Sequence, residues 1–408
     1  MLEFYDFTLY GFFVAILSPL FFPASDPYTS LISGFGVFAV GFVTRPLGAI
    51  LFGHIGDKYG RKNALTLSII LMALPTLMIG CLPTYQQIGL AAPILLMLAR
   101  LIQGICTGGE YNGAGIFIVE HTKTNKKGFY GSILSSSGAV GGLLATLIGS
   151  FFTQKGFPDW SWRIPFILGG ALAAIGFYLR KNVSESPEFL AIEAQSQSPQ
   201  VPILDILKNY FPSVFFCFLI GSNTTLVLYL VLVYVNSTLL IAHVLDSSSM
   251  MLINSLMLGV SAFFMLFMGK LSDRIGHKRL MTISLSLIFL LAVPASYIFS
   301  SKNLYLIIPI QALLLTLNVG FVAPSNAFMA TFFPPQYRYS GVAFGYTMGL
   351  SLVGGTAPYV VSWLVKITNN PHINAFYIML GCLIGIIALA LGKQKIKTSQ
   401  EKFAFSVG

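Results

Sequence analysis

The chain has 408 residues, of which 55% are hydrophobic and only 9% carry a charge, and its mean hydropathy is +0.78. Soluble domains carry roughly 25% charged residues, so this composition excludes a water-soluble globular protein and indicates one whose solvent is lipid. A formal net charge of +10 would suit nucleic-acid binding, but the positions of the cations argue against such a partner. Of the 24 Lys and Arg residues, 18 fall in segments that the predicted spans place on one side, which is the positive-inside pattern of a multi-pass membrane protein.

Twelve apolar segments are long enough to cross a bilayer, which takes about 20 mostly apolar residues. They are predicted at residues 4–22, 31–53, 64–82, 91–118, 129–152, 164–181, 210–235, 250–270, 280–299, 304–332, 339–365 and 374–392. Because twelve is an even number, both termini lie on the same side, and the basic loops predict that this side is the cytoplasm. The four cysteines all fall within these segments without metal-ligand spacing, so we expect no metal site and no cofactor.

A short charged hairpin occurs once in each half of the chain, after the second span and again after the eighth. Gly53–Lys62 reads GHIGDKYGRK and Gly269–Arg279 reads GKLSDRIGHKR, so glycine, aspartate and basic positions recur. Such a recurrence is typical of transporters built from parallel repeats. We therefore predict an all-α membrane protein with two six-helix halves, residues 1–181 and 210–393. A cytoplasmic linker at 182–209 joins them, and a cytoplasmic tail follows at 394–408.

The fourth span carries a polar stripe. At 100° per residue, Arg100, Gln103, Thr107, Glu110 and Tyr111 fall within roughly a 100° arc. A charge inside a span costs about 2.5–3.5 kcal/mol on insertion scales, so the stripe must face a cavity or a partner. A structural ion pair that locks this helix to a neighbour is the alternative, but the stripe is too long for one pair.

Two further side chains, Asp6 and Arg45, join Glu110 in bringing ionic chemistry into the first half. Asp6 in the first span and Glu110 in the fourth are candidates to carry a proton, because a buried carboxylate can exchange one. Arg45 lies inside the second span, and its guanidinium would suit a carboxylate substrate with two parallel hydrogen bonds. A permanent ion pair between Arg45 and either acid remains open.

The second half offers neutral groups in its spans, among them Asn223, Tyr229 and Tyr346. Aromatic walls of this kind attract organic cations through the ring face. Ordinary packing within the bundle is the alternative role for each of these residues.

Together these motifs resemble the major facilitator superfamily. Gly53–Lys62 resembles its loop signature of glycine, three variable residues, aspartate, a cation, one variable residue, glycine, arginine and a cation. In that family the loop gates the cytoplasmic side. The resemblance implies that Asp57 caps the start of the eleventh span and that Arg61 links to Glu120, with Arg338 nearby.

The second hairpin keeps Asp273 and Arg274 but has His277 where the signature has arginine. The resemblance therefore implies that this second gate is looser than the first. It also implies that Asp57→Asn slows transport more than Asp273→Asn does.

Within the superfamily, the chain is similar to the metabolite:proton symporters, and most similar to the proline/glycine-betaine members. The motifs that carry this likeness are Glu3–Phe7, Arg45–Gly48, Arg100–Gly104, Gly108–Tyr111, Trp160–Phe166 and Gly354–Pro358. The likeness implies a proton-coupled symporter of the bacterial inner membrane that imports a small zwitterionic or carboxylate metabolite by alternating access. Symport of 2-oxoglutarate, citrate or shikimate is the alternative.

The resemblance and the buried polar residues together suggest a division of roles. Arg45, Arg100, Gln103 and Tyr111 would face the substrate carboxylate; Asn223, Tyr229 and Tyr346 would face its other end; Asp6 or Glu110 would exchange the proton. The expected partners are a small-molecule substrate and membrane lipid, and the protein is expected to be a monomer.

Three rival functions are disfavoured. Drug efflux is at odds with two buried arginines, and a membrane sensor would need a soluble output segment. An enzyme is disfavoured because the histidines are scattered, without a catalytic grouping.

Overall fold

The helices follow the apolar segments of the sequence. The structure is a computed structural model that describes residues 2–59, 61–108, 126–181, 203–333 and 335–407. In the first half the helices are α1 (Leu2–Phe21), α2 (Pro27–Val43 continuing as Arg45–Tyr59), α3 (Arg61–Cys81), α4 (Ala91–Thr107), α5 (Lys127–Phe152) and α6 (Arg163–Lys181).

In the second half three of the six helices, α7, α10 and α11, change form along their length. The six helices are α7 (Ile203–Leu228, a π-helical turn at Tyr229–Tyr234, then Val235–Ile241), α8 (Ser247–Ile275), α9 (His277–Ser300), α10 (Leu304–Val322, then Ser325–Met329 and Ala330–Phe332), α11 (Pro335–Gly349, a π-helical turn at Leu350–Gly354, then Ala357–Thr368) and α12 (Ile373–Val407).

The twelve predicted spans are confirmed. Nine helices in the described ranges are long and apolar enough to cross a membrane, and three shorter apolar helices complete the set at Thr66–Cys81, Ala91–Thr107 and Arg163–Leu172. Two departures of the helix bounds from the prediction fall in the predicted linker and tail. The helix of α7 begins at Ile203, within the predicted linker, and bends at Tyr210, two residues before Pro212. Helix α12 continues to Val407 because the predicted tail contains neither Pro nor Gly before that residue.

Helix α2 is interrupted at Thr44. The Arg45-Pro46 step removes a backbone N–H from the helical ladder and disfavours the helical conformation just before it. The hydroxyl of Thr44 donates to the carbonyl of Leu101 on α4 at 3.2 Å. The interruption therefore anchors α2 to α4 at the depth of the buried arginines.

Glycine lets these two helices approach closely. A Cβ on Gly104 would collide with the carbonyl of Gly41, and one on Gly108 with the carbonyl of Arg45. Small residues of this kind allow backbone-to-backbone packing of helices in lipid. The close approach brings Arg45 on α2 and Arg100 on α4 to the same interface.

The two sets of six helices meet along α5 and α8, along α2 and α11 and along α1 and α7. Aromatic rings also join α2 to α7. We call the end of the bundle that carries the two charged hairpins the hairpin side and the opposite end the far side. Hydroxyl groups join α5 to α8 along their length. Thr146 and Ser255 are bonded at 2.8 Å, and Ser150 and Ser248 exchange hydrogen bonds of 3.1 and 2.9 Å.

Candidate functional site

Two arginines lie in the interior of the bundle, each against aromatic rings. Arg100 is fully buried, and its guanidinium carbon lies 4.6 Å from the centre of the Tyr10 ring and 5.8 Å from that of Phe38. The guanidinium of Arg45 lies 4.2 Å from the centre of the Phe42 ring. Such ring faces stabilise a desolvated cation by about 2 kcal/mol or more. The rings thus replace part of the hydration that each guanidinium loses in lipid.

A hydrogen-bonded chain orients Arg100. Its Nη1 donates to Oε1 of Gln103 at 2.7 Å, and Nε2 of Gln103 donates to Oγ1 of Thr76 at 2.8 Å. The Thr76 hydroxyl in turn donates to the carbonyl of Met72 at 3.0 Å. The predicted stripe therefore exists for Arg100, Gln103 and Thr107, which are all buried. In this arrangement Gln103 links Arg100 on α4 to α3.

Asp6 lies next to that chain. It is 3% exposed, and one of its carboxylate oxygens borders the backbone of Gly169 on α6, which the Thr76 side chain also borders. The hydroxyl of the neighbouring Tyr5 donates to the carbonyl of Pro165 at 2.9 Å. The Asp6 side chain therefore lies between α1 and α6, close to Thr76 at the end of the Arg100 chain.

The second half contributes an aromatic wall to the same region. The ring of Tyr229 packs edge-on against Phe38 and Phe42, each at 5.3 Å between centres, and lies within electrostatic range of both arginines. Tyr346 is buried next to Thr224 and within range of Arg45. The structure thus brings Arg45, Arg100, Tyr229 and Tyr346 together.

Asn223 lies apart from this group. Its side chain packs against Gly381 and Gly385 of α12, and its Nδ2 donates to the carbonyl of Leu219 at 3.1 Å. It faces the outer helices of its own half, whereas Tyr229, six residues later, faces α2.

Several predicted site residues cannot be placed. Glu110, Tyr111 and Glu120 lie outside the described residues, as do the side chains of Asp57, Arg61 and Arg338.

The second hairpin is engaged on the hairpin side. Oδ1 of Asp273 accepts the N–H of Gly128 at 2.7 Å, and Oδ2 accepts the N–H of Phe129 at 3.0 Å, so one carboxylate of α8 caps the start of α5. This cap needs only backbone amides and no arginine, and the relative tightness of the two hairpins stays a prediction. His277 contacts Ser272 at 3.1 Å, and Arg274 lies in the last turn of α8, where a cation is favourable.

Two aspartates on the far side were not predicted to have a role. Asp26 caps α2 by accepting the N–H groups of Tyr28 and Thr29, and its carboxylate lies 4.0 Å from the ammonium of Lys366 on α11. Lys366 also donates to the hydroxyl of Thr29 at 2.6 Å. The Thr29 hydroxyl and the Tyr28 amide hold the pKa of Asp26 below its usual value.

Asp246 has the equivalent place at the start of α8. It accepts the N–H of Ser249 at 3.2 Å and attracts Lys155, which follows α5. An aspartate directly before the first helical residue, followed in α2 by a proline, was the available sequence signal for these caps.

An apolar groove of about 720 Å³ lies between α5 and α8, lined by residues such as Leu147, Leu256 and Phe263. These side chains are exposed on the outside of the bundle, as expected of a lipid-facing surface. The groove contains none of the charged groups described above. Among the residues that the structure describes, no three His, Cys, Asp or Glu side chains come together as a metal site would need.

Comparison with known proteins identifies the family. The model of the Major Facilitator Superfamily matches residues 4–358 and 231–404. The chain belongs to this superfamily of transporters. It is 35% identical to the glycine betaine/proline/ectoine/pipecolic acid transporter OusA of Dickeya dadantii (strain 3937), over 95% of this chain and 79% of OusA. It is 34% identical to the proline/betaine transporter of Escherichia coli (strain K12), over 95% of this chain and 80% of that one.

Solved structures agree on the fold. The xylose transporter XylE from E. coli, in a partially occluded inward-open conformation, superposes with a TM-score of 0.74 and 16% identity over 96% of each chain. The resemblance found in the sequence is thereby confirmed, and with it a transporter rather than an enzyme.

Proposed function

We propose that this chain is a proton-coupled symporter that imports a small zwitterionic osmolyte, of the proline or glycine-betaine kind, by alternating access. The observation that carries the proposal is the pair of buried arginines, Arg45 and Arg100, set against aromatic rings where the two halves meet. The named relatives transport betaine and proline, which supports this choice of substrate.

The guanidinium groups suit the carboxylate end of such a substrate. A planar guanidinium can give two parallel N–H bonds to a carboxylate, and in a desolvated site such charge-assisted bonds are stronger than neutral ones. Arg100 is already oriented by Gln103, so little rotamer freedom is lost on binding.

The rings suit the ammonium end. Phe38, Phe42 and Tyr229 form an aromatic cluster, in which the faces of Phe38 and Phe42 now contact the protein's own guanidinium groups. A carboxylate that draws a guanidinium off its ring exposes that face to the substrate's ammonium group. A zwitterion can bind the guanidinium through its carboxylate and the ring face through its ammonium group, whereas a simple anion can make only the first contact.

Asp6 is the proton carrier that we favour, and Glu110 is the alternative. Asp6 is buried and shares the Gly169 contact with Thr76, the end of the chain that orients Arg100. Protonation turns the carboxylate from an acceptor into a donor and alters its interaction with the rest of the chain. The proton is the only coupling ion in the proposal, and no cofactor is involved.

Contacts at both ends of the bundle provide the gates. Asp273 joins α8 to α5 on the hairpin side, and Asp26 with Lys366 joins α2 to α11 on the far side. Alternating access would break one set while the other holds. The positive-inside pattern supports a cytoplasmic hairpin side, cytoplasmic termini and insertion in the bacterial inner membrane. We propose that the monomer is the transporting unit.

A transport assay in proteoliposomes tests the proposal. Uptake of labelled proline and betaine is measured with and without an imposed proton gradient, at two pH values, with 2-oxoglutarate, citrate and shikimate as competitors. We expect gradient-driven accumulation of a zwitterion and weak competition by the anions. If uptake does not depend on the gradient, the transporter is not proton-coupled. Strong competition by 2-oxoglutarate would favour the dicarboxylate alternative, which the two arginines also suit.

A further inference from the structure

The π-helical turn of α7 sets the direction of two tyrosines. In this turn the N–H of Val235 bonds to the carbonyl of Leu230, five residues back. Residues five apart therefore lie nearly above one another, whereas in an α-helix they would be about 140° apart. Tyr229 and Tyr234, the first and last residues of the turn, accordingly both face α2.

Their contacts on α2 lie at two depths. Tyr229 packs on Phe38 and Phe42 beside the arginines. Tyr234 packs near Phe35, with 6.5 Å between ring centres, and its hydroxyl lies 3.4 Å from that of Tyr28 towards the far side. One helical turn thus contacts both the candidate binding site and the far-side contact between the halves.

Three buried amides surround this turn, and we call them the amide triad: Gln311 on α10, Asn236 on α7 and Asn254 on α8. Gln311 Nε2 donates to the carbonyl of Val231 at 3.1 Å and to Oδ1 of Asn236 at 2.7 Å. Asn236 Nδ2 donates to Oδ1 of Asn254 at 2.7 Å. All three residues are at most 1% exposed.

An amide in an apolar interior is costly unless it is hydrogen-bonded, so a triad of this kind is poorly explained by packing alone. In a π-helical turn the backbone hydrogen bonds are shifted by one residue, so one carbonyl can lose its backbone partner. A side chain inserted at the turn can donate a hydrogen bond to that carbonyl. Gln311 bonds Val231, which lies between the two tyrosines.

We propose that Gln311 is a positioning residue. By holding the carbonyl of Val231 and the amide of Asn236, it keeps α7 in its π-helical form and so aims Tyr229 at the arginines and Tyr234 at Tyr28. The substrate site and the far-side contact of Tyr234 with Tyr28, which we call the tyrosine gate, then move as one unit. The role in substrate binding rests on the proposed function, but the control of the tyrosine gate does not.

The gate is tested without substrate. Phe35→Cys, in a background whose four native cysteines are replaced, puts a thiol under the Tyr234 ring, and its rate of maleimide labelling in purified protein reports separation of α7 from α2. We expect Gln311→Leu to raise this rate about three- to tenfold, the equivalent of one to two hydrogen bonds. Gln311→Asn keeps the amide but is too short for both contacts, so we expect an intermediate rate. It also provides the test if the leucine variant does not fold.

Asn374→Leu is the matched control. Asn374 is another buried amide, bonded to Ser296 at 3.1 Å at the start of α12 and away from the π-helical turn. A general loss of stability would raise labelling in this variant as well. Equal labelling of the Gln311 variants and the unsubstituted background would overturn the proposal, and so would an equal rise in Asn374→Leu.

A double-mutant cycle connects the gate to the site. Tyr28→Phe removes the hydroxyl that Tyr234 meets, so its effect on labelling should shrink when Gln311→Leu is already present. In transport, Gln311→Leu should raise the KM about three- to tenfold while changing the maximal rate less. Additive effects in the cycle would contradict the inference. Changed labelling in a protein that transports no zwitterion would overturn the proposed substrate alone.

Discussion

The first six helices and the last six divide the chemistry between them. The first half holds the buried charges, Asp6, Arg45 and Arg100, on helices α1, α2 and α4, of which only α2 is interrupted at the site, at Thr44. The second half faces them with neutral tyrosines and amides, and two of its helices, α7 and α11, change to π-helix at the same depth. The first half provides the charged side chains, and the second half provides neutral side chains on helices whose backbone hydrogen bonds can shift between α-helix and π-helix.

The physical reason for this division is the cost of a buried charge. A guanidinium in lipid needs its rings and acceptors already in place, and the glycine contacts between α2 and α4 hold them there. A neutral tyrosine or amide can exchange one carbonyl for another at small net cost, so the helices that carry it can change form.

The largest expected effect is at Arg100. Arg100→Lys keeps a positive charge but loses the planar fork that bonds Gln103 and faces the rings. We expect a loss of about 2–5 kcal/mol in transport efficiency, as for other buried charged pairs. Uptake in proteoliposomes measures this loss. Arg163→Lys is the control, because Arg163 stacks on Trp162 outside the site, and equal losses would deny Arg100 a special role.

The next effect concerns coupling at Asp6. Asp6→Asn cannot exchange a proton, so concentrative uptake driven by a proton gradient should fall at least about tenfold, while substrate exchange across the membrane continues. Counterflow and gradient-driven uptake are compared in the same vesicles. Asp159→Asn, at an exposed position, serves as the control. Gradient-driven accumulation by Asp6→Asn would transfer the proton role to Glu110.

The hairpin side should show a moderate effect. Asp273→Ala removes the cap of α5, which costs about 1 kcal/mol, whereas Asp273→Asn keeps an acceptor oxygen. We expect a lower melting temperature and several-fold slower transport for the alanine variant. The sequence further predicts that Asp57→Asn slows transport more than Asp273→Asn. Equal rates for these two variants would contradict the prediction that the first hairpin contributes more to transport than the second.

The smallest effect is expected at the far side. Lys366→Ala removes an exposed ion pair with Asp26, a change of about 0.2–1 kcal/mol. Lys155→Ala removes the attraction of Lys155 to Asp246 and should also have a small effect. The folded pKa of Asp26 is depressed, so its contribution is present above the unfolded value of about 3.9 and is lost only as the pH falls through the folded one. The effect of Lys366→Ala on transport should therefore not change between pH 5 and 8.

Local features of the chain were enough to predict the twelve spans, the repeated hairpin and the polar face of α4. Hydrophobic length and helical periodicity are local properties, so Arg100, Gln103 and Thr107 could be assigned to one buried face from their spacing alone. The cost of charge in lipid likewise marked Asp6, Arg45 and Arg100 as residues that need an internal environment.

What surrounds those residues is set by contacts between helices. Three contacts depend on partners on other helices: the rings that lie against the guanidinium groups, the packing of Asn223 on α12, and the ion pair of Asp26 with Lys366. The π-helical turn of α7 depends on Gln311, 80 residues beyond the Val231 carbonyl that it bonds. No local pattern encodes that contact, because the side chain that bonds the Val231 carbonyl comes from another helix far along the chain.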